Sequence, residues 1–101
     1  MNLTITNFNF NNITMKTDNP ISLEVSETPV KDDNGNIVVS YSIDDENYNI
    51  SAFGDSIEEL TQEVQNELEY NWKTYALVDS SHLSDKAKTV KQNLLEHFYA
   101  T

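Results

Sequence analysis

The chain has no cysteine and no arginine, only two glycines and two prolines, and no long apolar run. Without cysteine, neither a disulfide framework nor a thiolate zinc site can form, which suits a reducing cytosol. Two glycines leave no Gly-rich loop for cradling phosphates. Six lysines against 17 acids give a net charge of −11. Phosphate contacts need cations, so direct nucleic-acid binding is disfavoured. No stretch approaches the ~18 apolar residues of a membrane span. The N-terminus, MNLTITNFNFNNITMK, lacks the basic lead-in and apolar core of a signal peptide. The expectation is a cytoplasmic protein with no membrane association.

What remains is enough for one folded domain spanning residues 1–101. Apolar residues make up 38% of the chain and ten of its residues are aromatic, so a modest core can form without staples. Leu3 and Ile5 alternate with threonines, and Phe8 and Phe10 continue on the opposite parity, which predicts a bulge or bend between the two pairs. After a polar stretch from Asn11 to Pro20, Ile21, Leu23 and Val25 alternate with polar neighbours as a half-buried strand, which Pro29 should end. Asn34-Gly35 is the strongest turn signal, since both residues tolerate the positive φ of a tight hairpin. Ile37, Val39, Tyr41 and Ile43 then share one face of a strand. A second turn over Asp44, Asp45, Glu46 and Asn47 leads to a last strand carrying Tyr48, Ile50 and Ala52.

At Gly54 the period changes from two to 3.6. Ser56 and Glu59 have the spacing of a capping box, and Ile57, Leu60, Val64, Leu68 and Tyr75 form one stripe, interrupted by Asn71 and bordered by Trp72. This helix should end near Val78. Ser84 can cap a second helix whose Ala87, Val90, Leu94 and Phe98 lie on one side. The predicted fold class is therefore α+β: an antiparallel β-meander of about four strands followed by two C-terminal α-helices packed on one face.

The charge is confined to one segment. Residues 32–72 hold eleven acids and no basic residue, whereas the flanking segments nearly balance. Glu59, Glu63 and Glu67 stack along one helix face at about 6 Å intervals. Like charges at that spacing oppose the helix by ~0.2–0.5 kcal/mol per pair. The helix dipole compensates Asp55, Glu58 and Glu59, but not Glu63, Glu67 and Glu69. Such a face is either solvation for a small protein or a one-signed field that steers and docks a basic partner.

No catalytic pattern accompanies it. The Asp32-Asp33-Asn34-Gly35 turn has part of a calcium loop, but with Gly35 sixth, the first and twelfth positions are Val30 and Tyr41, which supply no carboxylate. His82 with Asp85 gives at most two metal ligands. No nucleophile elbow is visible. A non-enzyme without metal or cofactor is expected. Trp72 and Tyr75 read either as core residues or as interface anchors.

The run YNISAFGDSIEELTQEVQNEL, residues 48–68, resembles the strand-to-helix junction of HicB-like antitoxins, with matching positions Gly54, Asp55, Ser56, Glu58 and Glu59. The resemblance implies a small antiparallel sheet carrying a helix, and a domain that neutralises a partner toxin, often a small basic ribonuclease. The aromatic-proline-rich loop that usually precedes this junction is missing, and no operator-binding segment follows it. In size and acidity the chain is also similar to phage inhibitors of host defence, including anti-CRISPR proteins.

These readings converge on a non-catalytic acidic inhibitor that mimics nucleic acid. Its partner-binding residues are expected to be Asp44, Asp45, Glu46, Asp55, Glu58, Glu59, Glu63, Glu67, Glu69 and Trp72. The expected partner is a basic nucleic-acid-handling protein: a nuclease, a CRISPR effector or a toxin. The alternatives are a HicB-like antitoxin and an accessory structural domain whose charge serves solubility. A homodimer is left open, through a strand edge or the free side of the last helix.

Overall fold

The computed structural model describes residues 1–100. The chain runs β1 (Asn2–Phe10), β2 (Ile13–Glu24), β3 (Ser26–Lys31), β4 (Ile37–Asp45), β5 (Ile50–Gly54), α1 (Ile57–Asn71), α2 (Asp85–His97) and a two-residue β6 (Tyr99–Ala100). The fold is α+β, and the strands form two antiparallel sheets, ordered β1-β2-β6 and β3-β4-β5. The described residues contain six strands rather than four, because the strand expected through Ile21, Leu23 and Val25 is divided at Val25 into β2 and β3 and because Tyr99–Ala100 adds β6; β2 also takes in most of the polar stretch from Asn11 to Pro20.

Two local features explain the reach of β2. Asn11 and Asn12 both take positive φ, 49° and 65°, so two asparagines make the tight β1–β2 turn without glycine. The predicted irregularity in β1 is present: Ile5 pairs with Ile21 and Asn7 with Lys16, so two steps on β1 face five on β2. The extra residues, Thr17 to Pro20, loop out as a bulge, which is where a proline costs no ladder bond. Across it Phe8 returns to the core face used by Ile5, and both are buried.

Val25 is the pivot between the sheets. Its N–H donates to the Met1 carbonyl at 2.8 Å, after which the chain leaves β1 and pairs with β4 instead. Pro29 does not end this strand. It lies inside β3, an edge strand, where its missing donor is tolerated.

The helices cover the sheets from one side. Ser56 caps α1 by accepting from the Glu59 N–H at 3.1 Å, as its spacing predicts, and Leu60, Val64 and Leu68 are buried against β5 and β1. Each such side chain contributes ~1.5–3 kcal/mol of burial. Helical structure continues through a single π turn, Trp72–Ala76, in which Leu77 N–H reaches the Trp72 carbonyl at 3.1 Å. Trp72 and Ala76, four residues apart, extend the buried row of Leu60, Val64 and Leu68. A short 3₁₀ turn, Ser80–His82, leads to Ser84, which caps α2 through the Ala87 N–H at 3.2 Å. Phe8 centres the core, edge-on to Phe98 at 4.9 Å and tilted against Trp72 at 5.9 Å.

The shape is elongated, 50 × 29 × 22 Å, with a radius of gyration of 15.2 Å. A compact chain of this length would have one near 13 Å. The excess comes from the β3–β4 hairpin. Ile43 lies beneath the helix layer, whereas Val39 and Ile37, on the same face, are exposed, Ile37 at 71%.

Candidate acidic interface

The acidic residues of the segment divide into those that hold backbone and those that face outward. Glu59 completes the capping box: its carboxylate accepts from the Asp55 N–H at 2.8 Å, while its own N–H is taken by Ser56. Half-buried Glu67 accepts from the Ser51 N–H at 3.3 Å, occupying an open donor on edge strand β5. Asp45 accepts from the Tyr48 N–H at 2.9 Å and shapes the β4–β5 turn. Asp32 does the same in the β3–β4 loop, taking the N–H groups of Asn34 and Asn36, each at 2.9 Å. These carboxylates serve the local backbone, which a reading of charge alone misses.

Asp44, Glu46, Asp55, Glu58, Glu63 and Glu69 are exposed. Glu63 lies on the flank of α1 beside β5, in the row with Glu59 and Glu67. Glu58 and Glu69 lie on the outward face with Gln62 and Asn66. Asp44 and Glu46 belong to the other end of the sheet, beyond Glu67, so the ten expected residues do not form one patch. Along α1, Glu58 and Glu69 share the outward face about 16 Å apart, and Glu63 lies on the adjoining flank.

Trp72 requires a correction. It is only 8% exposed and packs on Phe8, so it cannot serve as the anchor expected of it. The aromatic that α1 offers to solvent is Tyr70, 60% exposed. With Phe10, Asn11, Asn66, Glu69 and Lys73 it lines an open depression between α1 and the β1–β2 turn. A second depression, lined by Asn7, Asn9, Gln62, Gln65, Asn66 and Glu69, adjoins it. Gln65 spans that groove by donating to the Asn7 carbonyl at 2.9 Å, and Gln62 donates to Asn66 at 3.0 Å. Glu69 therefore lies where an amide-rich groove meets an aromatic one. Helical periodicity places Tyr70 and Glu69 away from the buried stripe, but only the position of β1 turns that face into a groove.

Asn71, which interrupts the apolar stripe, is a clamp. At 1% exposure its amide donates to the carbonyls of Tyr48 and Asn49, each at 2.7 Å. This fixes the β4–β5 turn, where Asn49 takes φ 53°. Burial, together with the charges of Asp45 and Glu96, pushes the Tyr48 phenol above its ordinary range. His97 meets the Tyr48 ring edge-on at 5.7 Å and its Nδ1 bonds the Asn93 carbonyl at 3.1 Å, while His82 is exposed. Among the described residues no three His, Asp or Glu side chains gather in a metal-binding arrangement. No helix among them is long and apolar enough to cross a membrane. Compared with protein-family models, curated proteins and solved structures, the chain matches none.

Proposed function

We propose that the chain is a non-catalytic inhibitor whose acidic helix binds and masks a basic, nucleic-acid-binding surface on a partner protein. The observation that carries this reading is the exposed acidic surface of α1: Glu58, Glu63 and Glu69 are open to solvent at intervals along the helix, Glu69 beside exposed Tyr70, and residues 32–72 hold no basic residue. Carboxylates at such spacings imitate the repeated negative charge of a nucleic-acid backbone and steer a cationic surface toward them. Tyr70, beside the amide groove, supplies the contact that outlasts the encounter.

The experiment is capture of nucleic-acid-binding proteins from a bacterial lysate at low and high salt, followed by competition between the chain and nucleic acid for the captured protein. Wild-type chain should displace nucleic acid, and added salt should weaken binding because exposed charges are screened over ~10 Å at 0.1 M. The double variant Glu63→Lys, Glu69→Lys should lose binding while circular dichroism shows an unchanged fold. Binding that ignores both salt and charge reversal would reject the reading and leave the acids as solvation.

A further inference from the structure

Asparagine is abundant in this chain, and at one position its surroundings change its chemistry. Of thirteen asparagines, only Asn34 is followed by glycine. Eleven others precede a residue whose side chain crowds the next main-chain nitrogen, and Asn19 precedes Pro20, whose nitrogen has no proton to lose. Asn34 and Gly35 lie in the β3–β4 loop, and both are exposed. Gly35 takes φ 79°, with nothing within 4 Å of the place a Cβ would occupy, so the approach to its nitrogen is open. The Asn34 side-chain amide has no hydrogen-bond partner among the described residues, although its main-chain N–H is held.

We infer that Asn34-Gly35 is a self-modification site, at which the folded chain converts an asparagine amide into a carboxylate. The Gly35 nitrogen, once solvent base has taken its proton, attacks Asn34 Cγ. The new C–N bond closes a succinimide ring as the Cγ–Nδ2 bond breaks, and Nδ2 leaves as ammonia with a proton from solvent. Water then opens the ring. Addition at Cγ leaves aspartate, whereas addition at the main-chain carbonyl carbon leaves isoaspartate, with the backbone routed through the side chain. The net reaction consumes a water and releases an ammonia, and nothing is oxidised or reduced. Each converted chain gains a negative charge beside Asp32 and Asp33, inside the acidic segment.

The loop that carries the site also restrains it. The Asp32 carboxylate accepts from the Asn34 and Asn36 N–H groups, each at 2.9 Å, and its carbonyl accepts from the Gly35 N–H at 3.0 Å. The attacking nitrogen is therefore engaged while the loop is closed, and the reaction proceeds from an opened loop. That opening is local. The loop lies at the end of the hairpin that the helix layer does not reach, next to Ile37 at 71% exposure, so few buried contacts oppose it and the rest of the fold stays intact. Asp32 sets how often the site opens.

Incubation of the purified full chain at mildly alkaline pH, followed by digestion and peptide mapping by mass spectrometry, tests this. The mass change from amide to acid should be confined to the peptide holding Asn34, with isoaspartate among the products, which direct hydrolysis of the amide does not give. Its rate should rise in proportion to hydroxide and stay level at urea concentrations well below the unfolding midpoint, since a local opening exposes little surface. Asp32→Ala should speed it by about tenfold through the lost hydrogen bonds. Asp33→Ala, which removes a like charge but no hydrogen bond, should act far less. Both residues are exposed, so their loss spares the fold, which circular dichroism verifies. Three outcomes would overturn the inference: Asn34 intact in the folded chain after the urea-unfolded chain has converted, a folded-state rate that climbs with urea in step with global unfolding, or a rate indifferent to Asp32→Ala.

Discussion

A methyl group is all that distinguishes alanine from Gly54, and there is no room for it. A Cβ there would lie 2.8 Å from the Leu60 nitrogen and 2.9 Å from Glu59 Cβ. The glycine lets the first turn of α1 close directly onto the end of β5, so Gly54→Ala should cost ~1–3 kcal/mol through overpacking, read as a lower urea midpoint at an unchanged slope. Three residues of the junction that resembles HicB-like antitoxins thus serve the local fold, with Gly54 allowing close approach, Ser56 capping the helix and Glu59 acting as the reciprocal acceptor. The two capping roles are legible in the sequence, because capping depends on fixed offsets within one turn. Trp72 itself continues the i+4 row of Leu60, Val64 and Leu68 in ordinary helical geometry, but the π turn that begins at it is not legible, since no sequence period announces one.

At the scale of elements, legibility follows the strength of local chemistry. Spacing alone places both helices and their serine caps. It does not place the β1–β2 hairpin, since Asn11-Asn12 is a weaker turn signal than Asn34-Gly35 and Pro20 argues against a strand that in fact bulges around it. Alternation also starts β5 two residues early, because Tyr48 continues the apolar pattern although it lies in the β4–β5 turn, between Asn71 and His97. This turn carries a pH dependence. Folding raises the Tyr48 pKa, so the native state holds the phenolic proton more tightly than the unfolded chain does. The resulting stabilisation is fully present below the unfolded value near 10 and is lost as pH rises through the folded one. Tyr48→Phe should therefore flatten the fall in urea midpoint between pH ~8 and ~11 relative to wild type. An unchanged slope would mean that other tyrosines or the lysines govern alkaline unfolding.

For the whole molecule, alternation shows which residues share a face but not what covers it. Ile37 and Val39 alternate with Ile43 as expected, yet the helix layer stops short of them, and the bare side of the sheet becomes visible only once α1 is placed on the other. The acidic block has the same limit, since its sign is plain in the sequence and its division into two kinds of carboxylate is not. That division makes a joint prediction. Glu63 is exposed, between Glu59 and Glu67 in a like-charged row, so Glu63→Gln should raise stability by ~0.2–0.5 kcal/mol per relieved pair, and more at low salt than at high. Glu59→Ala sheds the same charge but strips the Asp55 N–H of its acceptor and should lower stability by about 1 kcal/mol. Urea titrations of both variants at two salt concentrations separate the effects. Opposite signs would mean that Glu59 supports the fold while Glu63 is retained at a cost to it, as an interface residue would be. If both variants gain stability, the cap is worth less than its geometry implies and net repulsion governs the entire row.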